Sequence, residues 1–357
     1  MHNENSNYYI DFLLKKRNYT LSDISDIEFI LSNDTEKHWN LIKEKAKEIK
    51  NCQFGKTVRL YRPIYVSNYC VNDCEYCGCA TSVNRERKVL SEDEIINECE
   101  KTKREGFDSI LLVSGEDSSK TNTDYLVRAV KIMKKYFSFV AIEAGSLSLD
   151  DCKRLLFSGV DSFVLYQETF DRKIYESIHK GPKKDYDKRI KAIFDAADAG
   201  FQSLGFGILL GIADWKSDIV ALANFAYEFR KKYWDRTISF SFPRLRPPAE
   251  EKFPKFKVTE HTLEKIFILF RLLFPDAELN VSTRERPEFR NNIVKYAATT
   301  MSAASGTYPG AYSGIKKELE QFEIQDTRTV KEICEDIERL GLQPIFKYWD
   351  RAFSLSL

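Results

Sequence analysis

Residues 58–79 read VRLYRPIYVSNYCVNDCEYCGC, a run of apolar and aromatic residues followed at once by four closely spaced cysteines. The run Val58–Val66 is rich in β-branched and aromatic residues and therefore predicts a strand. The cysteines then lie on the loop that follows a first strand. In a β/α barrel, the loops at the C-terminal ends of the strands build the active site.

Seven more strand-like runs follow, and helical patterns of apolar residues separate most of them. The predicted strands are Val58–Val66, Ser109–Val113, Phe139–Glu143, Ser162–Tyr166, Leu204–Leu209, Thr237–Phe242, Glu278–Val281 and Thr299–Ala303. The predicted helices include Glu92–Glu105, Asp124–Tyr136, Tyr186–Ala199, Lys216–Lys232 and Thr262–Phe274. This alternation predicts an α/β fold, a (β/α)8 TIM-type barrel. A doubly wound sheet is the alternative, because sequence does not reveal a reversal of strand order.

The predicted barrel spans residues 57–312 of the 357-residue chain, with an extension on either side. Residues 1–56 form a predicted helical N-terminal extension, in which Ile42, Ala46 and Ile49 lie at helical spacing. Residues 313–357 form a short C-terminal helical tail with one helix, Val330–Leu340, which we expect to pack on the barrel.

Charge and hydropathy argue against several classes of protein. Lys plus Arg number 55 and Asp plus Glu 54, a net charge of +1 that favours neither nucleic acid nor an anionic membrane as a partner. Short mixed charge runs such as residues 85–88 indicate a solvated surface. The polar start lacks a signal peptide, and no run of about 18 apolar residues predicts a membrane span. We therefore expect a cytoplasmic protein in which the eight cysteines stay reduced.

The C-x3-C-x2-C spacing places the thiolates of Cys70, Cys74 and Cys77 on one short loop. Three cysteines can hold three irons of a [4Fe–4S] cluster, which leaves the fourth iron without a protein ligand. In radical S-adenosylmethionine (SAM) enzymes, that open iron binds SAM. One electron from the cluster then breaks a C–S bond of SAM and forms a 5′-deoxyadenosyl radical. The loop therefore predicts two cofactors, one [4Fe–4S] cluster and SAM.

A structural zinc site is the alternative for the same cysteines. Zinc takes four tetrahedral ligands, most often as two separated pairs. Cys77 and Cys79 are only two positions apart, and no second C-x2-C or His pair is available. Zinc is therefore disfavoured, and Cys79 stays without an assigned role. The other cysteines are expected to be core or surface thiols: Cys52, Cys99, Cys152 and Cys334.

Beyond the cysteine loop, short segments along the chain occur in a characteristic order. They are GKTV (55–58), the cysteine loop ending at Asn84, SGE (114–116), YQET (166–169), HKGPKKDY (179–186), SFPRLRP (241–247), STRE (282–285) and LEQF (319–322). In these segments the chain resembles the 2-iminoacetate synthase (tyrosine lyase) family of thiamine biosynthesis, from about Phe54 to the C-terminus. Two positions depart from the family pattern: Cys79, where an aromatic residue is usual, and Ser114, where Thr or Gly is usual.

The resemblance implies a radical SAM lyase that cleaves the Cα–Cβ bond of L-tyrosine to 2-iminoacetate (dehydroglycine) and p-cresol. The related hydrogenase-maturation lyase carries a second cluster on C-terminal cysteines, whereas only Cys334 follows Gly314 here. We therefore expect the thiamine branch. The implied partners are L-tyrosine, a reductant such as flavodoxin or ferredoxin, and a thiazole synthase in complex with the protein.

The resemblance also implies polar contacts to SAM. Gly115 and Glu116 follow the second strand, where they would meet the SAM amino group. Glu168 follows the fourth strand and would accept hydrogen bonds from the ribose hydroxyls. Arg189 resembles the partner of the SAM carboxylate, a charge-assisted pair.

Two further features resemble the family's adenine site. Tyr76 resembles the residue whose backbone meets the adenine, just before the last cluster ligand. The strand at residues 207–211, with Leu209 at its centre, resembles the strand that lines the adenine.

A substrate with a free carboxylate calls for a fixed cation. Arg284, just past the seventh strand, is the predicted partner by position and by resemblance. Arg244 and Arg246 follow the sixth strand and would serve the same pocket or brace it. Ser302, near the last strand, is a further candidate.

Two other functions stay open at this point. The scaffold does not dictate which side chain is cleaved, so the protein could be a radical SAM lyase for another aromatic amino acid such as tryptophan, or act in hydrogenase cofactor maturation. A non-catalytic metal-binding protein with an iron–sulfur or zinc loop is the alternative from another class.

Overall fold

The computed structural model describes residues 31, 38–246, 252–253, 256–314 and 320–348. Most of the predicted N-terminal extension, residues 1–30 and 32–37, lies outside the described residues. Residues 315–319 and 349–357 of the predicted tail also lie outside them, as does Pro247 of the SFPRLRP segment.

The described chain begins with helix α1, Trp39–Phe54, and then alternates between strands and helices. The barrel strands are β1 (Thr57–Ser67), β2 (Ser109–Ser114), β3 (Phe139–Glu143), β4 (Ser162–Glu168), β5 (Ser203–Ile208), β6 (Thr237–Ser241), β7 (Glu278–Val281) and β8 (Thr300–Ser302). The helices between them are α2 (Glu92–Arg104), α3 (Thr123–Met133), α4 (Leu149–Ser158), α5 (Arg172–Ile178), α6 (Tyr186–Ala199), α7 (Trp215–Lys232), α8 (Glu260–Leu273) and α9 (Pro287–Tyr296). Helix α10 (Val330–Arg339) and strand β9 (Gln343–Ile345) follow the barrel.

The eight barrel strands pair in parallel and in chain order, and β1 pairs with both β2 and β8. Arg62 of β1 is opposite Ile110 of β2, and Tyr61 of β1 is opposite Ser302 of β8. This closure confirms the predicted (β/α)8 barrel. It excludes the doubly wound alternative, because a doubly wound sheet stays open.

Strand β9 is not among the strands predicted from the sequence. It pairs in parallel with the start of β1, from Thr57 opposite Gln343 to Arg59 opposite Ile345. Close by, the ring of Tyr348 stacks on Phe139 with 4.2 Å between the ring centroids. The last part of the tail, from β9 onward, therefore packs against the N-terminal end of the barrel, opposite the cysteine loop.

The barrel helices begin at side-chain caps that hold them at the end of the barrel that carries the cysteine loop. Ser91, Asn122, Ser148, Asp185 and Asp214 each accept a hydrogen bond from the backbone N–H three residues later. The apolar faces of these helices pack on the strands in one continuous core. None of the helices in the described part of the chain has the length and apolarity needed to cross a lipid bilayer.

Candidate active site

A cavity of about 200 Å³ lies at the C-terminal ends of the barrel strands. The predicted cluster ligands line it together with the predicted SAM contacts and two of the four candidate substrate contacts. These lining residues are Cys70, Cys74, Cys77, Tyr76, Gly115, Glu116, Glu168, Arg189, Leu209, Arg284 and Ser302. Arg244 is not part of the lining that the described residues form.

The cysteine loop is held against the end of β2 by close backbone contacts. Val71 N donates to the carbonyl oxygen of Glu116 at 2.9 Å. A Cβ atom on Gly115 would lie 2.2 Å from the carbonyl oxygen of Tyr69, so only glycine fits at this position. Arg87 donates to four carbonyl oxygens of the loop region, those of Asn68, Cys79, Ala80 and Val83. The interpretation of residues 85–88 as solvated surface is therefore wrong for Arg87, which is half-buried and braces the loop.

The thiol sulfurs accept hydrogen bonds from nearby N–H groups. Asn72 Nδ2 lies 3.5 Å from the sulfur of Cys70, and Cys77 accepts from the backbone N–H of Cys79 at 3.3 Å and from Gln321 Nε2 at 3.4 Å. A hydrogen bond from the Cys79 thiol, the largest influence, lowers the pKa of Cys77 to about 6. N–H donors of this kind stabilise cluster-bound thiolates and tune their redox potential. The three cysteines and their donors thus fit a [4Fe–4S] cluster, and Cys79 supports Cys77.

Two carboxylates and two cations form a compact charged group beside the cysteines. Arg189 is buried and donates to Tyr166 O at 3.0 Å and to Glu116 Oε1 at 2.7 Å. Lys183 Nζ donates to Glu168 Oε1 at 2.6 Å, and Arg189 Nη2 lies 3.8 Å from the same oxygen. Burial would raise the pKa of Glu168, but Lys183 and Arg189 outweigh it and hold the pKa below its ordinary value. Both carboxylates are therefore ionised at neutral pH.

An irregular backbone at the end of β4 turns the side chain of Glu168 toward the cavity. The register between β4 and β5 shifts between Tyr166 and Glu168. Glu168 also has φ of 72°, a left-handed conformation that is rare for residues other than glycine. Because of this bulge, Tyr166 and Glu168 both face the cavity. Strained residues of this kind cluster at functional sites.

A buried histidine holds the side chain of Tyr76. His179 is fully buried, and burial lowers its pKa to about 3, so the ring is neutral. Its Nδ1 lies 2.7 Å from the carbonyl oxygen of Tyr175 and must donate to it. Nε2 is then an acceptor for the Tyr76 hydroxyl at 2.8 Å. Tyr76 is thereby fixed at the edge of the cavity.

The predicted substrate contacts occupy different places. Arg284 lines the cavity, and its guanidinium lies 3.5 Å from the centroid of the Phe322 ring. Arg244 instead binds Glu285 and the carbonyl oxygen of Val258, the latter at 2.8 Å. Ser302 lines the cavity, while its hydroxyl oxygen accepts from the backbone N–H of Thr283 at 3.1 Å.

Several residues of the site were missed by sequence reasoning. Lys183, His179 and Gln321 lie in segments that carried the family resemblance, so their residue types were visible but their partners were not. Asn72 lies between two of the predicted cluster ligands in the sequence, so its amide could have been predicted to donate a hydrogen bond to a cysteine sulfur. Glu143, a charged residue at the end of a predicted buried strand, was another residue that the sequence could have indicated.

Comparisons with known proteins agree with this geometry. Residues 64–226 match the model of the Radical SAM superfamily, and residues 241–343 match that of the Biotin and Thiamin Synthesis associated domain. The chain is 37% identical to 2-iminoacetate synthase of Salmonella typhimurium over 91% of this chain and 87% of the relative. It is 35% identical to the Escherichia coli enzyme of the same name over the same shares of both chains.

Solved structures show the same architecture. HydG, the FeFe-hydrogenase maturase from Carboxydothermus hydrogenoformans, superposes with a TM-score of 0.89 at 29% identity, over 96% of this chain and 80% of that chain. Methylornithine synthase (PylB) superposes with a TM-score of 0.77 at 22% identity, over 97% of this chain and 99% of that chain, a likeness of fold alone. The two curated relatives, by their identity and coverage, and the match to the Radical SAM model show that the chain belongs to the 2-iminoacetate synthase family of radical SAM enzymes.

Proposed function

We propose that the protein is a radical SAM lyase that cleaves the Cα–Cβ bond of L-tyrosine to 2-iminoacetate and p-cresol, and so supplies the thiazole of thiamine. The observation that carries this proposal is one cavity in which three thiols, the paired Glu116 and Arg189, and Arg284 face one another. When bound, the cluster and SAM supply the radical that removes a hydrogen atom from the substrate amino group.

Cys70, Cys74 and Cys77 would hold three irons of the cluster. Burial raises the pKa of the Cys74 thiol to about 12, so binding of iron must displace its proton. Asn72 and Gln321 would then donate hydrogen bonds to the bound thiolates from the positions that they already occupy. The loop is therefore organised for the cluster by residues outside the cysteine motif.

The charged group would bind the amino acid end and the ribose of SAM. Glu116 suits the SAM ammonium, with Gly115 beside it, and Arg189 suits the SAM carboxylate. Glu168 is positioned for the ribose hydroxyls. Lys183 balances its charge at 2.6 Å, so that neither carboxylate is buried without a cation.

The adenine would bind beside Tyr76 and Leu209. Leu209 is buried, and its N–H donates to the carbonyl oxygen of Glu168 at 2.8 Å, which links the adenine wall to the ribose site. Apolar walls exclude the water that would quench a radical.

Arg284 would bind the substrate carboxylate, with Ser302 beside it in the lining of the cavity. Its stacking on Phe322 fixes the plane of the guanidinium, which favours a planar, bidentate contact. Arg244 would brace this region through Glu285 rather than touch the substrate, since its side chain is already engaged.

We also propose the division of the chain into a helical extension (1–56), a catalytic barrel (57–312) and a C-terminal tail (313–357). The pairing of β9 with β1 and the contact of Gln321 with Cys77 support a tail that packs on the barrel. A cytoplasmic location, a flavodoxin or ferredoxin as reductant and a complex with thiazole synthase belong to the same proposal.

The test is anaerobic incubation of the reconstituted protein with reductant, SAM and L-tyrosine, followed by product analysis. We expect 5′-deoxyadenosine, p-cresol and glyoxylate, the hydrolysis product of 2-iminoacetate. Cys74→Ser should abolish SAM cleavage. 5′-Deoxyadenosine without p-cresol would reject tyrosine as substrate, and a colourless protein loaded with zinc would reject the radical chemistry.

A further inference from the structure

A third carboxylate, that of Glu143, lies in the same cavity but deeper than Glu116 and Glu168. Glu143 is the last residue of β3 and lines the cavity. In the sheet it is opposite Val113, which precedes Glu116 by three residues. Because Glu116 follows the end of β2, the backbone of Glu143 lies closer to the barrel interior than that of Glu116.

The glycine that follows β3 supports this depth. A Cβ atom on Gly145 would lie 2.3 Å from Cγ of Glu116, so the Glu116 side chain rests on the chain two residues beyond Glu143. Glu143 therefore lies next to the proposed SAM contacts, on the side that faces the barrel interior.

Glu143 also differs from its neighbours in having no partner of its own. Glu116 is paired with Arg189, and Glu168 with Lys183. Within the described residues, the Glu143 carboxylate makes neither a hydrogen bond nor an ion pair. A partly buried carboxylate without a partner is costly, and a bound cation relieves that cost.

The charged and titratable groups around Glu143 come from five elements. Its carboxylate interacts with Glu168 of β4, Arg189 of α6, Lys183 of the short helix Pro182–Lys184 and Arg284 after β7. The phenols that face it are Tyr61, Tyr65 and Tyr166. Arg189 and Lys183 are already paired with carboxylates, whereas Arg284 has no carboxylate partner among the described residues. Glu143 and Arg284 thus present to the same cavity a carboxyl group and a guanidinium that have no ion-pair partner among the described residues, which suits the two charged groups of an α-amino acid.

We propose that Glu143 binds the α-ammonium group of the amino acid substrate and accepts one of its protons; this rests on the proposed lyase function. One N–H bond of the ammonium breaks, its proton forms an O–H bond with the carboxylate, and the electron pair stays on nitrogen. The substrate then holds a neutral amine, while its carboxylate remains on Arg284. Glu143 is a catalytic residue because it contacts the substrate directly, whereas Glu116 contacts SAM.

The acidity of Glu143 agrees with this role. Burial, followed by the nearby charge of Glu168, raises its pKa to about 7. This rise brings the carboxyl closer in acidity to a substrate ammonium group, which eases proton transfer between the two groups. Below pH 7 the carboxyl is protonated and cannot pair with an ammonium. Substrate binding through Glu143 should therefore strengthen as the pH rises through about 7.

The test compares L-tyrosine with 3-(4-hydroxyphenyl)propanoate, which differs from it only in lacking the amino group. Binding to the reconstituted, SAM-loaded protein is measured by calorimetry at pH 8. We expect the wild type to prefer tyrosine by roughly 30-fold or more, the effect of a buried charged contact. In Glu143→Gln this preference should fall to about threefold or less, with unchanged SAM binding as seen in the EPR spectrum of the reduced cluster.

Glu338→Gln, an exposed position on α10, is the matched control and should keep the full preference. If Glu143→Gln keeps the wild-type preference for tyrosine, Glu143 does not hold the substrate amine. This conclusion holds whether or not the variant still binds SAM. Should Glu143→Gln fail to take up the cluster, Glu143→Asp decides, with an expected loss of several-fold in preference at unchanged SAM binding. A wild type that binds tyrosine but makes no p-cresol rejects the proposed function separately.

Discussion

Gln321 donates a hydrogen bond from Nε2 to the sulfur of Cys77 at 3.4 Å, although 244 positions separate the two residues in the chain. The Tyr65 hydroxyl donates to Oε1 of Gln321 at 3.0 Å and so fixes the orientation of the amide. A Cβ atom on Gly78 would lie 2.3 Å from the carbonyl oxygen of Gln321, which shows how closely the two segments approach. A segment beyond the barrel therefore forms part of the proposed cluster site.

Replacing Gln321 with leucine should make the reduction potential of the cluster more negative. A hydrogen bond to a cluster sulfur stabilises the reduced, more negatively charged state, and leucine removes it. A bond worth about 0.5–1.5 kcal/mol corresponds to a shift of roughly 20–60 mV for one electron. The measurement is a redox titration followed by EPR. Gln202→Leu, an exposed position just before β5, should leave the potential unchanged, and an unchanged potential in Gln321→Leu would contradict the assignment.

Replacing Gly115 with alanine should displace the cysteine loop and reduce the amount of cluster that is bound. The added methyl group would overlap the carbonyl oxygen of Tyr69, which is backbone and cannot turn away. Such overpacking costs about 1–3 kcal/mol. Iron content per chain after reconstitution is the readout. Gly341→Ala, in open space with φ of 72°, also strains the backbone but should retain the full iron content.

Replacing Arg284 with glutamine should weaken tyrosine binding and leave substrate-free SAM cleavage intact. Loss of a buried charged contact costs about 2–5 kcal/mol, so KM for tyrosine should rise by roughly 30-fold or more. KM and the rate of uncoupled 5′-deoxyadenosine formation are measured together. The neighbouring Arg286 is exposed and paired with Glu260, so Arg286→Gln should behave as the wild type. If Arg284→Gln also lowers the rate of uncoupled 5′-deoxyadenosine formation to the same extent, the SAM site is damaged instead.

Replacing Glu143 with glutamine should stabilise the protein at pH 8 more than at pH 5. Burial and Glu168 raise the pKa of Glu143 from 4.5 to about 7, so ionisation favours the unfolded chain at higher pH. The free energy of unfolding of the wild type therefore falls as the pH rises from 4.5 to about 7. Above about pH 7 this carboxyl causes no further loss. The expected gain in the free energy of unfolding at pH 8 is about 2 kcal/mol. This is less than the whole pKa shift would give, because the carboxyl is only half-buried. Urea unfolding at both pH values measures it, and an equal gain at both would be the contrary result.

The strands and the cysteine loop could be predicted from the sequence because their signals are local. Apolar periodicity located all eight barrel strands, from β1 to β8, with ends within three residues of those observed. The C-x3-C-x2-C spacing is likewise contained within one turn-rich loop. Strand β9 escaped prediction because it is only three residues long and its partner, β1, is far away in sequence.

The sequence by itself determined the barrel, the cysteine loop and the family, since each follows from residues close together or from an ordered set of segments. Only the tertiary structure decided that Lys183 neutralises Glu168, that Arg87 braces the cysteine loop and that Gln321 contacts Cys77. It also separated Arg284, which lines the cavity, from Arg244, which binds Glu285. The physical reason is that the role of a charged side chain depends on its burial and on the groups within a few ångströms, and closure of the barrel is what brings those groups together.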